Sequence, residues 1–393
     1  MIPLFKSNYD SREATAAKSV VESGWLSMGE HVQEFESQFS KMLGGSISCL
    51  ATSNCTMSLY LAMLALDIGV GDEVLVPSLT FVADASVVRM CGATPVFVDI
   101  NGPTDLNMSV ADLTKKISKK TKACIVVHFG GFACAIDEIT AVCKDKGIAV
   151  VEDCAHAPGA TFGDRALGTF GEISCFSFYS NKNISTGEGG MVCSSDERIA
   201  KRLSQLRAHG MTRPTLDKKL GRTAHYDIIE PSLNCRLDEI RAAIGVIQLN
   251  KLEDGNAQRK AVFEHYSNAF QDTELTVPFQ SHTGGTSAYH IMVVVLPSKL
   301  NRDSIMASLR DEGIQSSLHY RPFWSFTAYS DVDESHTPEL SAIHQQLISI
   351  PLSPGFSTEE IDTVVNKMKD ILARDDLAIH AIPSEAPTRE AVN

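Results

Sequence analysis

The stretch DEVLVPSLTFVADASVVRMCGATPVFVDI, residues 72–100, reads as strand, helix, strand. DEVLVP (72–77) is a short valine-rich run closed by proline. ADASVVRMCG (83–92) carries a helical pattern that stops at Gly92, and TPVFVDI (94–100) is a second β-rich run. Strands with continuous apolar content, separated by helices, belong to a parallel sheet covered on both faces. The alternation continues outward. KACIVVHF (122–129), IAVVED (148–153), ISCFSF (173–178) and GGMVCSS (189–195) read as strands, and IDEITAVCKDKG (136–147) as a helix ended by Gly147. The expectation is an α/β unit with a mostly parallel sheet from about residue 47 to 195. In such sheets ligands bind beyond the carboxyl ends of the strands. The residues that follow each strand are therefore the first candidates for function.

A chain of 393 residues exceeds one ordinary core, so a second domain is expected. RLDEIRAAIGVIQLNKLEDGNAQRKAVFEHYSNAF (236–270) carries a long helical pattern that bridges to it. Beyond lie a strand in AYHIMVVVLP (288–297), a helix in RDSIMASLRDEG (302–313) and a last helix in STEEIDTVVNKMKDIL (357–372). The division expected is 1–250 for a large domain with an N-terminal arm, 251–375 for a smaller C-terminal α+β domain, and 376–393 for a loose polar tail. A net charge of −13 argues against binding along a nucleic acid backbone. No basic-then-apolar leader opens the chain and no apolar run approaches the ~20 residues of a membrane span. Ten cysteines form no C-x-x-C pair, so reduced thiols, a cytoplasmic location and no metal centre are expected.

Asp153 and His156 follow one strand, and Lys182 follows another. The loop 51–56 is small and polar ahead of a helix that runs toward Gly69, with Asn54 as N-cap. Such a start can bind phosphate through backbone N–H groups. Phe81 follows the strand 72–77. Each feature has an ordinary reading: a cap, a core ring, a solvated lysine. Their convergence at one sheet edge points instead to a ligand. The chemistry these groups suit is that of pyridoxal 5′-phosphate. Its aldehyde needs a lysine, its pyridine nitrogen a carboxylate, its phosphate a helix N-terminus, and its ring flat apolar cover. No G-x-G-x-x-G follows the first strand and no G-K-[ST] occurs, which sets aside nicotinamide and P-loop chemistry.

The chain resembles the DegT/StrS-type aminotransferases of nucleotide-linked sugars, which have the aspartate-aminotransferase (fold type I) architecture. The matching stretches include SGWLSMGEHVQEFE, GDEVLVPSLTFVA, VEDCAHAPGA, FSFYSNKNISTGEGG and NCRLDEIRAAIGVIQLNKLE. The resemblance implies that Lys182 holds the cofactor as a Schiff base and shuttles the proton, and that Asp153 pairs with the ring nitrogen. It implies His156 near the ring hydroxyl and Phe81 on the ring face. Ser177 and the backbone of Cys55 and Thr56 would take the phosphate. Asn234 and Arg236 would reach the phosphate of the neighbouring subunit, in a homodimer with shared active sites. Trp25, His319 and Tyr320 are the implied substrate contacts, although a buried structural role for His319 is an equal reading. Two departures stand out. The phosphate loop is SNCT where a glycine often precedes the threonine, and Trp324 stands where HYRPFW would commonly end in histidine. The implied reaction moves an amino group, by family habit from glutamate, to a keto sugar linked to a nucleoside diphosphate. A keto-cyclitol acceptor is the alternative. Dehydration of a sugar is disfavoured, because relatives with that activity carry histidine in place of the lysine. A sensor that only binds the cofactor is disfavoured by the intact Lys182–Asp153 pair.

Overall fold

The segment 72–100 forms the strand Glu73–Pro77, the helix Ala83–Met90 and the strand Thr94–Val98, with the two strands parallel. The structure, a computed structural model, describes residues 1–212 and 226–374. The expected tail at 376–393 lies outside the described residues.

Seven strands make the main sheet. In spatial order they are Ser48–Thr52, Gly190–Ser194, Ile173–Ser177, Ala149–Asp153, Thr121–Val127, Glu73–Pro77 and Thr94–Val98. The last five are parallel to one another; Gly190–Ser194 runs antiparallel to both its neighbours. The sheet is thus mostly parallel, with one reversed strand that the pattern of apolar runs did not reveal. The reversal follows from the connection 178–189. It holds no crossover helix, so the chain folds straight back. Phe178 N–H donates to Gly189 O, and Thr186 N–H to Phe178 O.

Apolar residues fill both faces of the sheet, as the continuous runs require. Leu75, Cys124 and Val126 pack with Phe35, Phe39 and Ile139 on one side. Their neighbours Val74, Val76, Ala123 and Ile125 pack with Leu59, Met63 and Val87 on the other. The period of two along each strand sends successive side chains into opposite layers. Each fully buried Leu, Ile or Val contributes roughly 1.5–3 kcal/mol.

The helical pattern at 236–270 is two helices, Glu239–Asn250 and Leu252–Ala269, broken at Lys251. Lys251 is buried there, with Nζ 2.6 Å from Glu13 Oε1 and 2.9 Å from Asp10 Oδ2. This pair ties the helix Ser11–Ser23 to the break. A second N-terminal helix, Glu30–Met42, is capped from afar. Glu239, itself buried, accepts from Gly29 N (2.7 Å), His31 N and Val32 N (2.9 Å each). A carboxylate at a helix start is favoured by the helix dipole. A further core forms around Tyr266, Phe270, Met292, Ile305, Ile348 and Met368. It joins the antiparallel strands Met292–Val295 and Leu347–Ile350 to the helices Leu252–Ala269, Arg302–Asp311 and Thr358–Leu372. Ser357 starts the last of these with a capping box to Glu360. All ten cysteines are free. No helix among the described residues is long and apolar enough to cross a membrane.

Candidate active site

The strand order brings the ends of Ala149–Asp153 and Ile173–Ser177 side by side, with Cys175 in register with Asp153. Ser177 pairs with Gly190, and Gly190 in turn with Thr52. The loop 53–55 is thereby laid against the end of the Lys182 strand. Asn54 caps the helix Cys55–Ala65 by accepting from Met57 N at 2.9 Å. That helix ends at Ala65, short of the predicted Gly69, because Leu66 already leaves helical geometry. The N–H groups of Cys55 and Thr56 have no acceptor among the described residues, which leaves two donors at a helix start where an anion is favoured. Gly190 makes this cradle possible. A Cβ there would lie 2.6 Å from Asn54 C and 2.7 Å from Cys55 N. Ser177 Oγ, at the same edge, accepts from Tyr179 N at 3.4 Å.

Asp153 is buried at its strand end. Its Oδ1 accepts from Ala155 N at 2.8 Å, and Cys55 Sγ lies 3.9 Å away. Burial raises its pKa, while the Ala155 N–H and Lys182 pull it back. Lys182 is half-buried in the connection 178–189. Burial lowers its pKa from 10.5 to about 8, against the opposing pull of Asp153 and Cys55. The carboxylate and the amine thus face one crevice, and the amine is shifted toward its neutral, nucleophilic form.

Three imidazoles line the same space. His290 Nε2 is 3.4 Å from Lys182 Nζ, and its Nδ1 is 2.9 Å from Asn183 Oδ1. Asn183 Nδ2 donates to Asn256 Oδ1 and Ala288 O, so its Oδ1 is the acceptor. His290 Nδ1 therefore carries the proton and Nε2 offers a lone pair to Lys182. His156 lies 4.5 Å from His290, ring centre to ring centre. It accepts at Nδ1 from Gly130 N at 3.3 Å and meets Tyr320 Oη at Nε2 at 3.0 Å. His319 Nδ1 meets Ser349 Oγ at 2.7 Å. Burial depresses all three, His319 to about 4, so they are neutral at pH 7. Phe81 is exposed on the rim, its ring 5.8 Å from that of Tyr320.

The structure therefore gathers Lys182, Asp153, Cys55, Thr56, Ser177, His156, Phe81, His319 and Tyr320 around one crevice. The remaining three expected residues sit against Gly29, Ala208 and Thr52. Trp25 packs over Gly29 beside Glu239; a Cβ on Gly29 would sit 2.6 Å from Trp25 Nε1. The segment holding Asn234 and Arg236 bridges to Ala208 and Thr52 along the edge strand. Arg236 makes no hydrogen bond or ion pair to Asp153, Lys182 or Ser177 among the described residues, and its Nη1 is buried without an acceptor. Trp324 packs on His344, its ring 5.6 Å away, in the second core. Sequence reasoning missed His290 and Asp84. His290 sits two residues before a strand rather than after one, which the strand-end rule does not scan. Asp84 reads as ordinary acid in the first turn of a helix, yet it is fully buried.

A lysine, a buried carboxylate and a free helix start on a sheet of this order define a pyridoxal-phosphate enzyme of aminotransferase fold. The profile of the DegT/DnrJ/EryC1/StrS aminotransferase family matches residues 7–369. The spore coat polysaccharide biosynthesis protein SpsC of Bacillus subtilis (strain 168) is 35% identical over 373 residues, covering 93% of this chain and 95% of that one. Among solved structures, the aminotransferase TlmJ from Streptoalloteichus hindustanus aligns with a TM-score of 0.88 at 30% identity, over 95% of this chain and 99% of that one. The PLP-form of the putative sugar aminotransferase Spr1654 from Streptococcus pneumoniae aligns with a TM-score of 0.88 at 28% identity, over 94% and 98%. The chain belongs to the DegT/DnrJ/EryC1/StrS aminotransferase family. It is a PLP-dependent aminotransferase, and its cofactor is pyridoxal 5′-phosphate.

Proposed function

We propose that this aminotransferase moves an amino group from an amino acid, glutamate first among donors, to a keto sugar carried on a nucleoside diphosphate, and that it does so in the cytoplasm. The observation that carries the catalytic part is Lys182. Its amine stands 3.4 Å from the lone pair of a neutral His290 and feels the charge of the buried Asp153. The sugar acceptor is supported by likeness to Spr1654, a putative sugar aminotransferase, and to SpsC, a polysaccharide biosynthesis protein.

When bound, pyridoxal phosphate supplies an electron sink for the carbon that bears the amine. The residues that fit it are those of the crevice. The N–H groups of Cys55 and Thr56 and the Ser177 hydroxyl would hold the phosphate. Asp153 would receive the ring nitrogen; a buried carboxylate needs such a cationic partner. Phe81 would cover one ring face and His156 would stand beside the ring hydroxyl. Lys182 Nζ would bind the aldehyde and afterwards take and return the substrate proton. His290 Nε2, accepting from that amine, would hold it in line.

A homodimer completes this reading. The Nη1 of Arg236 is buried without an acceptor among the described residues, and the nearby Ile228, Ile229 and Leu233 are exposed apolar residues that a second copy could cover. Asn234 and Arg236 would then complete the neighbour's phosphate site, with Trp25, His319 and Tyr320 left as candidate substrate contacts. The division into domains at 250/251 is part of the same proposal, supported by the break between helices at Lys251.

The test is a screen with glutamate as donor against 3-keto and 4-keto nucleotide sugars and a keto-cyclitol, read by mass. Amination of a nucleotide sugar is expected. Turnover of the cyclitol alone would replace the proposed acceptor.

A further inference from the structure

Beneath Asp153 lies a second acid. Asp84 is fully buried in the first turn of the helix Ala83–Met90. Thr80 Oγ1 donates to its Oδ2 at 2.5 Å, while its Oδ1 is buried and receives no hydrogen bond. Asp84 and Asp153 are buried neighbours, close enough that the charge of Asp153 raises the Asp84 pKa and Asp84 in turn lowers that of Asp153. The other titratable groups facing the pair are the thiols of Cys55 and Cys175 and the phenol of Tyr320, and Cys154 and His128 face Asp153 as well. Lys182 faces Asp153, and Asp84 has no ion-pair partner among the described residues.

Two neighbouring buried carboxyls cannot both ionise, because each charge is desolvated and repels the other. One proton must stay. Asp153 has an N–H donor and an amine to support its charge; Asp84 has one hydroxyl. Burial, followed by the charge of Asp153, holds the Asp84 pKa well above the carboxylate range. The proton then stays on Asp84, whose Oδ1 no donor reaches, and Asp153 is the neighbouring acceptor. A stray buried acid with an unfilled oxygen is costly; as a neutral donor it is satisfied.

We propose that Asp84 is a positioning residue for Asp153: kept neutral, it donates the hydrogen bond that fixes the Asp153 carboxylate and tempers its basicity where the cofactor's ring nitrogen is received. The inference rests on the reading that Asp153 takes that nitrogen. Asp84→Asn keeps the shape and an N–H donor, whereas Asp84→Ala removes the donor.

Two measurements on apo protein test it. In titrations with pyridoxal phosphate, Asp84→Asn is expected within about threefold of the wild-type Kd and Asp84→Ala weaker by roughly tenfold or more. The second is melting temperature against pH. A carboxyl with a raised folded pKa binds its proton in the folded chain but not in the unfolded one, so stability falls as pH rises above about 4. Asp84→Asn escapes that loss, and its melting temperature should gain on wild type from pH 5 to pH 8. A purely structural role would lower both variants at every pH and leave cofactor affinity alone. A pH-independent difference for Asp84→Asn overturns the proposal, even if the alanine variant does not fold. Asp153→Asn separates the two readings. If it binds cofactor poorly while Asp84→Ala binds normally, only the role of Asp84 falls. If both bind normally, the assignment of Asp153 falls and takes that of Asp84 with it.

Discussion

As the proposed Schiff-base residue, Lys182 must be charged to be comfortable in water and neutral to attack an aldehyde, and burial lowers its pKa toward the neutral form. Its pKa of about 8 lies well below the ordinary 10.5. Between those values the unfolded chain holds a proton that the folded chain has released. The lysine therefore costs stability below pH 8, and the cost fades as pH rises toward 10. Apo Lys182→Met is expected to melt above wild type at pH 7, by up to roughly 3 kcal/mol, with the gap closing by pH 10. An equal difference at both pH values would refute the depressed amine. In apo wild type, capture of pyridoxal phosphate should quicken with pH and level off above about 8. At this scale the sequence was informative about Lys182 and Asp153, because strand-end position and residue type mark them. It was silent about His290 and Asp84. Their importance lies in what they stand beside, Lys182 Nζ and Asp153, and those pairings join residues far apart in the chain.

At the scale of elements, the active site is a matter of how the loop 53–55 and the connection 178–189 meet across the strand Gly190–Ser194. Gly190 stands at the contact. Backbone atoms at 2.6–2.7 Å from a new Cβ cannot swing aside as a side chain tip can. Gly190→Ala should push the start of the helix Cys55–Ala65 away from Ser177, costing about 1–3 kcal/mol of stability and weakening pyridoxal phosphate binding by tenfold or more. Unchanged binding in calorimetry would show that the cradle does not depend on this approach. The existence of most strands and helices was legible from apolar runs and end residues such as Gly92 and Gly147. The reversal of Gly190–Ser194 was not, since an apolar run reads the same in either direction and only the path of 178–189 fixes it. The break at Lys251 was likewise hidden, because two helices in line keep one helical pattern. Lys251 pairs there with Glu13 and Asp10, which lie near the other end of the chain.

For the whole molecule, the question is whether one chain makes one active site. Lys182 and Asp153 lie together, whereas Arg236 keeps a buried Nη1 with no acceptor among the described residues. If it serves a neighbour, two defective chains can repair each other. Mixed dimers of Lys182→Ala and Arg236→Ala place both intact residues in one of the two sites. They should recover up to about half the wild-type activity per dimer, while each variant alone stays low. Absence of rescue in purified heterodimers would return Arg236 to a structural role.

The sequence by itself determined the class of sheet, the lysine, the carboxylate and the free helix start, because these depend on local pattern and on position along a strand. The family follows from the same stretches. Only the tertiary structure decided the reversed strand, the neutral imidazoles around Lys182 and the buried acid beside Asp153. The physical reason is burial. Which groups lose water, and beside what, is settled when segments remote in sequence close over one another, and the protonation of Lys182, His290 and Asp84 is set at that moment.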